Sequence, residues 1–318
     1  MPERDPVVAR CRAMIRDGSK SFFGAARIFD ARTRESAFLL YAWCRHCDDQ
    51  VDGETLGFRP GGPGADGAPR QRLARLLDDT RSAMRGEPQS DPVFQALQRV
   101  AFRHEIPERY PLELLEGFAM DVEGRRYATA EDLFLYCYHV AGVVGLMMAH
   151  VMGTREGETL QRAADLGIAL QLTNIARDVV EDAAVGRVYL PLEWLREEGI
   201  APEQVAEPRH RPAVARTVAR LLAAADHFYA SGDEGLQALP LRSAWAVAVA
   251  RGVYSEIGAR VLRLGERAWD ERVVVPRRRK LLAVAAGLGQ ALHSVGVRRR
   301  QKASPRPALW RKRQHSLD

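Results

Sequence analysis

Residues 45–53 read RHCDDQVDG and follow directly on the apolar run AFLLYAWC. Three aspartates, an arginine and a histidine crowd a place where a buried helix should stay apolar. At about 100° per residue, Tyr41, Arg45, Asp48 and Asp52 fall within about 60° of one another, with Asp49 at the edge of the stripe. A second segment, QLTNIARDVVEDAAVGRVYLP (171–191), repeats the device. There Gln171, Asn174, Asp178 and Asp182 share a stripe about 80° wide, among Leu172, Ile175, Val179 and Val180.

One such pair is ordinarily a solvated helix face. Two carboxylates at i,i+4 repel, however, and two pairs on otherwise apolar helices call for a cation. Hard oxygen donors without clustered His or Cys suit Mg²⁺, which keeps several waters and shares its shell with substrate phosphates. The pattern predicts two acid-lined helices facing each other across Mg²⁺ and a diphosphate. Lys20, Arg45, Arg177 and Arg187 lie close in sequence and can neutralise phosphate charge. A hydrocarbon would then enter an apolar interior.

The elements that must position these residues are helical. Ala, Leu, Arg and Glu dominate the 318 residues, 46% are hydrophobic, and period-2 runs of β-branched residues are scarce. Helices are predicted over 4–16, 20–28, 33–53, 70–84, 92–104, 111–120, 131–152, 158–183, 191–198, 211–236, 240–265 and 276–296, with a Gly/Pro loop at 57–69. No composition break divides the chain, so 1–297 reads as one all-α domain with a central hydrophobic cavity. Residues 133–154 contain no Asp, Glu, Lys or Arg and are long enough to span a bilayer. Their tyrosines, histidines and glycines fit a central helix better, with the glycines admitting a neighbour or a ligand.

The net charge of +6 is a property of the tail. Residues 298–318 hold eight basic residues and one acidic, so their +7 leaves 1–297 at −1. The body therefore gives no reason to expect a nucleic-acid surface. The tail reads as a disordered, solvated end, and its functional reading is a weak hold on anionic lipid headgroups. Four cysteines and an N-terminus with no apolar run imply a reducing cytoplasm, at the inner face of the membrane if the tail binds there. Cys44 and Cys47 form a lone C-x-x-C without a second pair, which reads as packing rather than zinc.

The segments GSKSFFGAARIFDARTRESAFLLYAWCRHCDDQVDGETLGF, YCYHVAGVVGLMMAHVMG and ALQLTNIARDVVEDAAVGRVYLPLEWL resemble those of the squalene/phytoene synthase family, bacterial phytoene synthases in particular. The likeness runs from about residue 14 to about residue 280. It implies an isoprenoid-synthase helical fold in which Asp48, Asp52, Asp178 and Asp182 bind Mg²⁺ diphosphate, with Mn²⁺ as a substitute. Ser19, Lys20, Ser21, Tyr41, Arg45, Gln171, Asn174, Arg177, Arg187 and Tyr189 match positions around the diphosphates. Tyr136 matches a residue at the reacting centre, and its other reading is a hydrogen-bonded core tyrosine. Ala26 matches a wall of the hydrocarbon pocket, Phe22, Val140 and Val144 match substrate-binding positions, and Tyr254 and Arg272 match through less distinctive sequence. Many relatives carry a further acid where this chain has Gly53.

The implied reaction joins two geranylgeranyl diphosphates head to head, through a cyclopropane intermediate, to phytoene. Its last step is proton loss without NADPH, and no Gly-rich nucleotide fingerprint is present. Enzymes of carotenoid biosynthesis that consume phytoene would be its downstream partners. Squalene or dehydrosqualene synthases would use the same motifs on farnesyl diphosphate. A chain-elongating prenyltransferase would instead carry an expanded DDxxD. A membrane-bound adaptor without catalysis is the contrasting reading, resting on 133–154 and the basic tail.

Overall fold

The computed structural model describes residues 5–18, 20–53, 69–298, 306 and 309–310. Its α-helices are α1 (Pro6–Gly18), α2 (Lys20–Ala26), α3 (Ala31–Asp52), α4 (Pro69–Met84), α5 (Pro92–His104), α6 (Arg109–Val122), α7 (Ala130–Cys137), α8 (Val143–Val151), α9 (Gly157–Ala184), α10 (Leu192–Glu197), α11 (Arg211–Gly235), α12 (Leu241–Leu264) and α13 (Arg277–Arg298). No strand occurs among the described residues.

Local signals set the helix ends. Asp30 caps α3 by accepting the backbone N–H groups of Arg32 and Thr33, both at 3.0 Å, and Gly53 ends the helix at φ 68°. Thr129 and Asp132 form a reciprocal capping box at the start of α7. These caps fix where α3, which carries the first acidic segment, and α7, which carries Tyr136, begin.

The long α9 runs through the centre, packed on α11 and α12 and against α8. Two apolar clusters flank it, one around Trp43, Leu97 and Met147, the other around Leu172, Leu221 and Phe228. Close approach to α9 depends on two glycines. A Cβ at Gly145 would stand 2.3 Å from the Ala163 carbonyl oxygen, and one at Gly167 2.3 Å from that of Ala141. These glycines admit a neighbouring helix.

Ala130–Val151 is long and apolar enough to cross a membrane, yet Leu133, Cys137, Val143 and Met147 are wholly buried within the protein. It serves as the predicted central helix. In place of a continuous α-helix over 131–152, Tyr138–Gly142 form a π-helical turn between α7 and α8. An inserted residue of this kind widens one turn without interrupting the apolar pattern, so periodicity does not reveal it.

The tail also departs from expectation. Its first residue, Arg298, ends α13, and Arg306 reaches the buried Asp165 on α9 with two bonds of 2.7 and 2.6 Å. Trp310 lies against Tyr138 at 5.4 Å between ring centroids. A solvated end is therefore the wrong description at Arg306 and Trp310. A charge count cannot register that one of those cations has a buried carboxylate 141 residues away.

Candidate functional site

The two acidic segments lie on α3 and α9 and meet across a cavity of about 280 Å³. Asp48 lines it from α3; Gln171, Asn174, Arg177, Asp178 and Asp182 line it from α9; Arg187 and Tyr189 follow from the segment after α9. Of the first stripe Asp48 reaches this polar space, where it faces Gln171, Asn174, Asp178 and Asp182 of the second. The histidine of the first motif faces elsewhere: His46 packs edge-on against Phe94 of α5.

Cations are already built into both walls. Arg45 bonds Asp48 at 3.0 Å and the buried Asp49 at 2.8 Å. Arg177 grips Asp178 through two nitrogens, at 2.8 and 2.5 Å, and Arg272 reaches the same carboxylate at 3.2 Å. The arrangement still holds more negative charge than it comfortably can. Burial, followed by the adjacent Asp178 carboxylate, pushes the Asp182 carboxyl up to about 7. Among the described residues no three His, Cys, Asp or Glu side chains gather as a metal cage. Carboxylates on separate helices with room between them suit a hard divalent ion that completes its shell with water and phosphate oxygens.

A tyrosine cluster forms another wall. Tyr136, on α7, is 3% exposed and donates its hydroxyl to Asp121 at 2.9 Å. Tyr189 donates to the other oxygen of Asp121, also at 2.9 Å. The Tyr136 and Tyr189 rings stack at 5.0 Å, with Tyr127 at 5.2 Å from Tyr136.

Beyond the polar space lies an apolar chamber of about 290 Å³. Ala26, Phe29, Val140, Val144, Met148, Leu170 and Ala250 line it. Gln171 and Asn174 line both spaces and join them. From Gln171 back to Thr159, the chamber follows α9 for about 18 Å. Tyr254 closes its polar end beside Asn174, with which it shares a hydrogen bond. A molecule with a charged head and a long hydrocarbon tail fits this pair of spaces.

Most sequence-predicted residues therefore converge. Asp48, Tyr136, Gln171, Asn174, Arg177, Asp178, Asp182, Arg187 and Tyr189 line the polar cavity. Ala26, Val140, Val144 and Tyr254 line the apolar chamber. Arg45 and Arg272 act on the rim through Asp48 and Asp178. Tyr41 lines neither space; it lies half-buried beside Arg45, and burial pushes its phenol up to about 12. Ser19 lies outside the described residues, as do the side chains of Lys20, Ser21, Phe22 and Asp52.

Asp121 was not predicted. It follows the buried Phe118 and Met120 on α6, an acid directly behind buried residues, which is the same signal that marks Asp48. A single carboxylate without a partner at i,i+4 does not stand out from spacing alone.

The family model described as squalene/phytoene synthase matches residues 15–279. A 15-cis-phytoene synthase of Pantoea ananas is 50% identical over 93% of this chain and 94% of that protein. Another, of a Paracoccus species, is 46% identical over 86% and 88%. Among solved structures, a ligand-bound dehydrosqualene synthase has a TM-score of 0.79 at 28% identity and covers 91% of this chain and 97% of that one. A squalene synthase from Alicyclobacillus acidocaldarius has a TM-score of 0.72 at 26% identity, covering 81% and 94%.

Proposed function

We propose, for a chain that belongs to the squalene/phytoene synthase family, a specific use of the two joined spaces: diphosphates in the polar cavity and prenyl chains in the apolar chamber. The chain is a prenyltransferase that condenses two geranylgeranyl diphosphates head to head to phytoene, releasing diphosphate. The observation that carries the site assignment is the sharing of Gln171 and Asn174 by an acid- and arginine-lined cavity and an apolar one.

Members of this family use a divalent metal to bind prenyl diphosphates. Asp48, Asp52, Asp178 and Asp182 would hold it, and their hard oxygens favour Mg²⁺, with Mn²⁺ as a substitute. When bound, such an ion offsets charge on the departing diphosphate. The chain's own residues supply the rest. Arg177 and Arg187, which line the polar cavity, donate hydrogen bonds to phosphate oxygens. Ser19, Lys20 and Ser21 are proposed, on the family resemblance alone, as further phosphate ligands. Gln171 and Asn174 orient the junction between head and tail, and Tyr254 fixes Asn174. The apolar walls exclude water from the allylic cation, whose capture by water would end the reaction as an alcohol.

Ala26, with Phe22 one turn earlier on α2, is proposed as the chain-length wall. Its methyl faces the apolar chamber and leaves room for a twenty-carbon tail. The structural likeness to dehydrosqualene and squalene synthases favours a second reading with fifteen-carbon substrates. A contact with anionic membrane is better supported on α13 than on the tail. That helix holds Arg277, Arg278, Arg279, Lys280 and Arg298 and no acidic residue, while Leu281, Leu282 and Leu292 are 70%, 60% and 54% exposed. Asp178→Asn tests the site assignment: it should keep the helical circular-dichroism signal and lose at least about 100-fold in turnover. Parental turnover in that variant would remove Asp178 from the site.

A further inference from the structure

The apolar chamber follows α9 from Gln171 to Thr159, and its far end lies where helices stop. Met152 and Thr154 line it from the link between α8 and α9, and Leu236 and Leu239 from the link between α11 and α12. Met152, Thr159, Leu236 and Leu239 are all buried, so this end is closed to solvent. Apolar side chains alone would suffice to line it. Arg162 lines it as well, 2% exposed and about 14 Å along α9 from Gln171.

A buried guanidinium is costly unless it is paired and hydrogen-bonded, and a leucine would fill the same wall without that cost. The side chain is accordingly pinned. Its Nη2 donates to the Glu158 carboxylate one turn back at 2.8 Å, and its Nη1 donates to the Ser231 backbone carbonyl of α11 at 3.3 Å. Its stem runs over Gly235, where an added Cβ would stand 3.1 Å from the Arg162 Cβ and 3.7 Å from its Cδ. The stem is thus apolar lining and the head is a fixed polar stop. A methionine or leucine can swing to another rotamer and let a longer tail pass. Arg162 can do so only by breaking an ion pair and setting a cation against hydrocarbon.

We propose that Arg162 is the length stop of the chamber: it ends the space open to a prenyl tail and so sets the longest polyprenyl diphosphate that the protein accepts. The inference rests on the prenyl-condensing function stated above and adds an upper limit to it. Ala26 and Arg162 then act at opposite limits. Ala26 on α2 leaves room for a tail longer than fifteen carbons, and Arg162 closes the chamber against one longer than twenty. Arg162 does not line the polar cavity, so it governs which tail is seated and not the departure of diphosphate.

The test gives the full chain, with divalent metal, either geranylgeranyl diphosphate or the twenty-five-carbon farnesylgeranyl diphosphate. It reads kcat/KM for diphosphate release on each and identifies the products by mass spectrometry. The parent should prefer the shorter substrate by at least about tenfold, because a whole isoprene unit without a place costs more than a single methylene. Arg162→Ala removes the stem beyond Cβ; it should lower that preference at least about tenfold and yield a head-to-head product from the longer substrate. A variant that only loosened α9 against α11 would lose activity on both substrates alike and leave the ratio in place. Arg162→Met keeps an apolar stem without the charge and decides the matter if the alanine variant does not fold. Its movable side chain should still lower the preference at least about threefold. A parental ratio in either folded variant overturns the proposal, as does a parent that uses both substrates equally well. A parent that makes no phytoene from geranylgeranyl diphosphate refutes the functional reading itself, whereas phytoene from the parent with unshifted ratios in the variants removes the length stop alone.

Discussion

The bond between Arg306 and Asp165 makes a quantitative prediction about a segment that composition marks as expendable. Asp165 is 1% exposed and sits on α9, the helix that carries Asp178 and Asp182. Arg306 meets it with two nitrogens, at 2.7 and 2.6 Å, and the Ser231 hydroxyl of α11 adds a third bond at 2.5 Å. Arg306→Ala leaves a buried carboxylate without its guanidinium, a loss of about 3–5 kcal/mol for a broken buried pair. Arg162 lies one turn away and bonds the Ser231 carbonyl, so the lower end of that range applies. At about 2–4 °C per kcal/mol for a large domain, the melting temperature should fall by about 6–12 °C. Thermal unfolding followed by circular dichroism at matched protein concentration measures it. Adding Asp165→Asn to Arg306→Ala should return most of the loss, because the stranded charge is gone. A shift under about 1 °C in Arg306→Ala, or no recovery in the double variant, would refute the buried-pair reasoning.

The remaining predictions concern the site and one surface. Asp182 is raised to about 7 in the folded protein, so without metal the folded state holds more protons than the unfolded one between roughly pH 4 and 7. Its contribution to stability should therefore decline as pH rises through that window, Mg²⁺ should raise the melting temperature more at pH 8 than at pH 5, and Asp182→Asn should flatten the difference. Ala26→Phe should lose phytoene formation and gain relative activity on farnesyl diphosphate, read by product chromatography; parental product distribution would exclude Ala26 as the length determinant. Leu281→Ser with Leu282→Ser should weaken flotation with phosphatidylglycerol vesicles at low salt, while leaving phosphatidylcholine vesicles unbound as before. Equal flotation by parent and variant would exclude the α13 face.

Helix periods and acid spacing made much of this molecule legible in advance. The stripes through Asp48 and through Asp178 and Asp182 are local properties of single helices, so a 100° repeat displays them. Val140 and Val144 entered through the resemblance, and the structure places both in the chamber wall. What spacing could not display depends on groups distant in sequence. Asp121 gains its place only when Tyr136 and Tyr189 fold over it. Arg45 looked like a phosphate ligand and is already engaged by Asp48 and Asp49. The π-helical turn at Tyr138–Gly142 changes backbone geometry without changing which residues are apolar. Arg306 is one of several tail cations, and only the fold sets it against Asp165.

The most direct test of the central claim is product analysis after incubating the purified full chain with Mg²⁺ and geranylgeranyl diphosphate, and in parallel with farnesyl diphosphate, in the absence of NADPH. The account predicts diphosphate release and a forty-carbon phytoene from the first substrate, with little thirty-carbon product from the second. Dehydrosqualene from farnesyl diphosphate as the dominant product, with no phytoene, would contradict it.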